Sequence, residues 1–316
     1  LNISIKKVLK IVLPLAFGGF LVWYSLYDID TDEFIGYFKN ANYLWISLGL
    51  FFGVLSHLSR AYRWKFMLEP LGYKPAFANS TMAVLVAYLV NLTIPRAGEA
   101  SRAAVMANYE NIPFEKGFGT IVAERIADLV MMLTIVTITL FVQFDFIFDL
   151  LSKNFDPLKI GIGLVVLGIG FFFFTRYIKN STSGVGLKIK TFVTGLIEGV
   201  MSIFQMKKRW AFIFHTVFIW AMYVAMFWAT IPAIEGLQVP FGAVLIGFIA
   251  GGFSIAATNG GIGLYPVAVT GAFLLFGISE EPSKAFGWVM WTTQTAMIII
   301  FGGLSFLLLP IYNKNK

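Results

Sequence analysis

Residues 160–174 read I-G-I-G-L-V-V-L-G-I-G-F-F-F-F, an apolar run without a single charge or hydrogen-bonding side chain. A helix that crosses a bilayer needs about 20 predominantly apolar residues. Comparable windows recur at 8–27, 43–64, 76–94, 116–142, 157–176, 209–231, 239–258, 260–278 and 284–310. Charged residues make up 13% of the 316, where soluble chains carry about 25%. The bilayer is therefore the solvent for most of this chain. In lipid each backbone N–H and C=O must be satisfied internally, and long apolar segments do so as helices. The expected fold is all-α, a polytopic transmembrane helix bundle forming one integral domain over 1–316. The connections between spans are too short for a sizeable soluble domain.

Cysteine is absent, so neither a disulfide framework nor a cysteine metal site is available. The net charge of +7 fits anionic lipid and membrane topology better than nucleic acid. Lys6, Lys7 and Lys10 precede the apolar stretch Ile11–Tyr27. That stretch is long, and no A-x-A-type cleavage site follows it, so an uncleaved first helix is expected rather than a signal peptide.

If every window were a full crossing, the basic connection Arg176–Arg209 would share a side with the acidic connection Asp28–Glu33 and face away from the N-terminal lysines. That violates the positive-inside rule. The conflict disappears if residues 76 to about 110 enter from the cytoplasm, turn near Asn91–Gly98 and leave on the same side. Residues 239–278 then do likewise from outside, turning near Asn259–Gly263. Lys6, Lys7, Lys10, Arg60, Arg63, Lys65, Lys74, Arg96, Arg102, Lys116, the Arg176–Arg209 cations, Lys314 and Lys316 become cytoplasmic, while Lys39, Lys153, Lys159 and Lys284 remain outside. Asp28, Asp30, Asp32, Glu33, Asp145, Asp149, Asp156, Glu235, Glu280 and Glu281 stay outside. Both termini are then cytoplasmic in a multi-pass protein of the cytoplasmic membrane. The halves, roughly 1–150 and 151–316, become an inverted-topology repeat with two re-entrant hairpins, the arrangement that builds midplane sites in transporters. One echo supports it: Lys116-Gly-Phe-Gly119 opens the helix after the first hairpin and Lys284-Ala-Phe-Gly287 the helix after the second. Residues 28–42 read as a short surface helix. Residues 184–208 read as an amphipathic helix, on the membrane surface or packed on the bundle floor.

Ionisable groups inside such segments are costly and normally face a bundle interior or a wet cavity. Arg96, Glu99, Arg102, Glu124, Arg125 and Asp128 are the ones that stand out. Glu124 and Asp128, four apart, share a helix face, and Arg125 can reach Asp128 from three residues away. They lock the bundle through ion pairs, or orient Arg125 toward an anionic head group or exchange a proton, and these readings can hold together. Pro95 and Gly98 end one helix near Asn91 and restart another, whose unpaired N–H groups suit a phosphate or carboxylate. An ordinary cytoplasmic loop is the alternative. Asn259, Gly260, Gly261 and Gly263 form the second break, where successive N–H groups could make an anion nest. Arg60, Arg63 and Trp64 read as an interfacial anchor of snorkelling cations and an aromatic, with capture of a lipid head group as the second reading. His57 and His215 are isolated and suit structural roles better than a metal site. No nucleotide loop, nucleophile elbow or metal-ligand spacing occurs, so neither a cofactor nor a metal is expected.

At these residues the chain resembles the lysylphosphatidylglycerol synthase transmembrane region, the flippase-like membrane proteins. The likeness rests on R-A-Y-R-W-x-x-M-L at Arg60–Leu68, N-x-T-I-P-R-A-G-E-A-S-R-A at Asn91–Ala103 and V-A-E-R-I-A-D-L at Val122–Leu129. The glycine motif at Asn259–Gly263 adds to it, so the likeness runs over nearly the whole chain. The resemblance implies a domain that moves a phospholipid between leaflets, with Arg96, Glu99, Arg102, Glu124, Arg125 and Asp128 matching the family's charged motifs. Synthase activity belongs to a separate soluble domain and is not carried over. Where many members read P-G-G-x-G-x-x-E, this chain has Asn259 for the proline and Pro266 for the acid. A mechanism needing a carboxylate there is thereby put in question. The expected function is movement or binding of a lipid with a charged head group. Its partners would be membrane lipids, anionic or zwitterionic phospholipid, and not nucleic acid; a homo-oligomer is compatible with this. The rivals are an intramembrane transferase acting on a phospholipid or polyprenyl-phosphate, with Glu99 or Glu124 as base, and a small-solute or ion transporter.

Overall fold

The computed structural model describes residues 16–27 except 17 and 25, 31–94, 96–154 and 156–314. The N-terminal lysines, Asp28, Asp30, Pro95 and half of the first expected span, 8–27, lie outside these residues. Where residues 16–26 are described they are helical. The described residues are all-α, with no strand among them.

In chain order the helices are α1 (Thr31–Asn40), α2 (Tyr43–Leu68), α3 (Phe77–Thr93), α4 (Gly98–Glu110), α5 (Phe114–Val142) and α6 (Phe144–Asn154). They continue as α7 (Pro157–Asn180), α8 (Gly184–Gln205), α9 (Arg209–Thr230), α10 (Phe241–Ala257), α11 (Leu264–Leu274) and α12 (Glu280–Tyr312). Five stretches are long and apolar enough to cross a membrane: Tyr43–Leu71, Phe114–Val142, Gly161–Asn180, Arg209–Ala233 and Glu280–Tyr312. The expected short helix before residue 42 is α1, and the expected amphipathic segment is α8. Helix α6 was not foreseen; its acids and aromatics had read as a connection.

Three further apolar helices are shorter: α3 and α10, with 17 residues each, and α11 with 11. Helix α3 stops where the sequence reads Ile94-Pro95. Ile94 is extended (φ −124°, ψ 110°), as the residue before a proline prefers. Helix α4 closes on Asn111, which takes the left-handed conformation (φ 54°) and donates its N–H to the Met106 carbonyl. Helix α10 stops at Ala257, and Gly260, Gly261 and Gly263 follow with φ of 64°, 82° and 68°. Such backbone is strained for any residue with a Cβ.

The chain divides into two compact units, one drawn from Leu1–Glu124 with Trp210–Lys316 and one from Arg125–Arg209. In the first unit α3 packs on α4, α10 on α11, and α12 on both α3 and α11. Its core is aromatic and aliphatic: Phe227, Phe273 and Phe286 meet edge-to-face or stacked at 5.0–6.2 Å, with Val244, Val269 and Val289 around them. The turns of the two short pairs also touch. Gly260 lies so close to the Leu92 side chain that any Cβ there would collide with it. In the second unit α7 packs on α6 and on α8.

Candidate functional site

Glu124, on the third turn of α5, is fully buried and is the acceptor at the centre of an ion cluster. Arg60 of α2 donates from Nη1 to its Oε1 at 2.8 Å. Arg63, one turn on, brings Nη2 to the same oxygen at 3.1 Å. Arg102 of α4 donates through both terminal nitrogens, Nη1 to Oε1 at 3.2 Å and Nη2 to Oε2 at 3.1 Å. This is the planar, two-pronged recognition that guanidinium gives a carboxylate. Three guanidinium groups thus converge on one carboxylate.

The walls of the cluster hold these side chains in place. The Arg102 guanidinium lies 3.8 Å from the centroid of the Trp64 ring, a cation–π contact that strengthens when desolvated. The Trp64 indole N–H donates to Thr120 Oγ1 at 2.8 Å, and Thr120 in turn donates to the Gly117 carbonyl. Arg63 donates to Thr216 Oγ1 at 2.9 Å and sits 5.2 Å from the Phe212 ring centre. His215 Nδ1 and Ser59 Oγ are 2.8 Å apart, so that histidine has a local partner.

The anchor expected of Arg60, Arg63 and Trp64 is corrected here. All three are buried, with Arg63 and Trp64 at 0% exposure, and the arginines pair with Glu124 instead of snorkelling. A long side chain snorkels when its charge can reach water; here the buried Glu124 carboxylate holds it inward. Ser56, Ser59, Arg60 and Arg63 recur at helical spacing along α2, and that polar stripe inside an apolar span was the available signal.

The remaining expected residues are distributed. Arg96 is exposed in the turn before α4, with left-handed backbone (φ 61°). Glu99 is half-buried on the first turn of α4. Asn91 accepts the Gly98 N–H at 2.7 Å, so it caps the start of α4 with its own side chain. In the second unit Arg125 is 42% exposed and lies 3.6 Å from Asp128, the pairing anticipated from their spacing. Around the second turn the close approaches are to protein: Leu92 against Gly260, and the Trp291 indole donating to the Gly260 carbonyl at 2.9 Å. Asn259 is buried, and its Nδ2 has no hydrogen-bond partner.

An α-helical membrane protein with a buried arginine–glutamate cluster beside a pair of half-length helices is the class these features define. The chain belongs to the lysylphosphatidylglycerol synthase TM region family, whose model matches residues 11–302. It is 29% identical to a UPF0104 membrane protein of Methanocaldococcus jannaschii over 58% of this chain and 53% of that protein. It is 33% identical to the glycosyltransferase AglD of Haloferax volcanii over 32% of this chain and 16% of that protein. The chain thus spans about half the length of the first relative and a small part of the second. No solved structure matches it.

Proposed function

We propose that this protein binds a lipid carrying a phosphate in its head group and moves that head group between the leaflets of the cytoplasmic membrane. The observation that carries the reading is the gathering of Arg60, Arg63 and Arg102 on the single carboxylate of Glu124 inside apolar helices. Cations at that depth mark substrate paths in membrane proteins, and guanidinium forks suit phosphate as well as carboxylate. A phosphate would compete with Glu124 for the arginines, so that they pass between an internal and a bound anion. Arg96, in the exposed turn, would meet the head group first. Asn259, with a buried donor, would meet it from the second turn. In this reading α3–α4 and α10–α11 are re-entrant hairpins of an inverted repeat, with both termini cytoplasmic. The family is described by a membrane lipid, which supports lipid over solute.

The test is reconstitution of the purified chain into vesicles containing fluorescent phosphatidylglycerol in one leaflet. Redistribution without a new lipid species supports the proposal. Redistribution that persists in Arg102→Gln and Arg60→Gln argues against the cluster. A new covalent lipid product would favour a transferase, a reading to which the glycosyltransferase name of one relative lends weight.

A further inference from the structure

From Arg176 to Arg209 the chain carries seven cations and one acid, Glu198, so that stretch holds six of the seven net positive charges of the protein. Most of it is α8 (Gly184–Gln205). In the sequence of α8 apolar residues recur at 185, 189, 192–193, 196–197, 200–201 and 204, and Lys188, Thr191 and Glu198 fall between them. That is the helical period, which gives the helix an apolar face and a polar face. Helix α8 is not among the stretches long and apolar enough to cross a membrane. Its start is fixed by the end of a helix that is: α7 closes the stretch Gly161–Asn180, with only residues 181–183 between the two. A Cβ on Gly186 would collide with Ser181 Oγ and meet the Tyr177 ring, and Lys190 Nζ donates to the Lys179 carbonyl at 2.9 Å. The first two turns of α8 are therefore held against the last turn of α7, at the edge of the apolar layer.

We infer that α8 is a docking surface for an anionic lipid bilayer, with its apolar face in the interface and its cations against the head groups. Val185, Val193 and Met201 are 71%, 41% and 52% exposed. A helix packed on its own bundle would bury these side chains, and α8 leaves them uncovered. Arg176, Lys179, Lys188, Lys207 and Lys208 are exposed as well. Apolar side chains and cations together at a membrane edge fit the boundary between acyl chains and anionic head groups. The partner is the charge of the leaflet rather than one head group. An ammonium on a flexible stem acts as a point charge and lacks the rigid fork by which a guanidinium selects a shape. The attraction reaches only about a Debye length, roughly 10 Å at 0.1 M salt and 3 Å at 1 M, so it is lost in high salt. The inference goes beyond the proposed function and does not rest on the arginines around Glu124.

The chain has no cysteine, so a fluorophore on Val193→Cys reports on α8 in the full protein. The labelled protein is reconstituted into phosphatidylcholine vesicles with a trace of phosphatidylcholine, phosphatidylglycerol or phosphatidylserine that carries a nitroxide quencher at the top of one acyl chain. Both anionic lipids should quench at least threefold more than the zwitterionic one, to the same extent as each other, and molar salt should bring all three level. A label on Thr191→Cys, on the polar face, should be quenched at most half as much. Lys179→Gln, Lys188→Gln and Lys207→Gln combined should remove most of the anionic excess while Tm in detergent stays unchanged. If that variant does not fold, the salt series on the labelled parent decides the same point. Absence of quenching by every lipid overturns the inference, because α8 is then covered by protein or stands in water. Equal quenching by anionic and zwitterionic lipid at low salt overturns it too. So does a strong preference for one anionic lipid over the other, which would make α8 a head-group site. No transport is measured, so a failure of the proposed function leaves this outcome untouched, and the reverse holds as well.

Discussion

The α3–α4 pair and the α10–α11 pair each join a 17-residue helix to a shorter one through a turn that no regular helix can follow. Both bury small apolar residues, Ala83, Val84 and Ala87 in the first and Ala243, Val244 and Val269 in the second, and they differ in the polar groups they add. The first pair buries Asn79, Ser80 and Arg102, and Asn79 donates to Glu110 and exchanges two amide hydrogen bonds with Asn313 at 2.8 and 2.9 Å. The second pair buries Ala243, Val244, Val269 and Phe273 in the aromatic core. The matching K-x-F-G segments obey the same division: Phe286 is fully buried, whereas Phe118 is exposed. One backbone device has been used twice, once to hold charge and once to hold the bundle together. Chemistry and stability should therefore separate between the two pairs when each is mutated.

The sharpest break is Glu124→Ala. It leaves three buried guanidinium groups without their shared anion, and removing one partner of a buried ion pair costs about 3–5 kcal/mol. Thermal unfolding in detergent should show a large fall in Tm, partly restored by added phosphatidylglycerol but not by phosphatidylcholine. On the other side, Phe286→Ala should lower stability by a similar amount, about 3–5 kcal/mol for a buried aromatic truncated in a packed core. Here no lipid should rescue the variant, and lipid preference should be unchanged. A lipid preference altered by Phe286→Ala would abolish the distinction between the pairs. Gly260→Ala comes next. The left-handed backbone costs about 1–2 kcal/mol for an L side chain, and the Leu92 contact adds to it; Leu92→Ala should recover part of the lost Tm. The smallest effect is expected of Arg125→Gln, because Arg125 itself is 42% exposed and its partner Asp128 10%, and pairs with one solvated partner contribute at most about 1 kcal/mol. A transport defect in that variant without a change in Tm would give Arg125 a functional role of its own.

Hydropathy and breakers made the helices legible, and residue type alone pointed to Arg102 and Glu124. Ile94-Pro95 and the glycines after Asn259 marked the two turns because their backbone demands are local. The partners of Glu124 were not legible. Arg60 and Arg63 lie at the end of an apolar run, where pattern reading sends a cation outward; only packing of α2, α4, α5 and α9 shows that they turn inward. Arg125 illustrates the opposite case. Its neighbour Glu124 made it look central, yet the step of about 100° per residue around a helix separates adjacent side chains, and Arg125 is the exposed one.

The touch between Gly260 and Leu92 has a mechanical meaning. A van der Waals stop transmits a push and not a pull, so the two turns are free to part but cannot come closer. A larger residue at 260 would press on the Leu92 side chain and hold the two turns further apart.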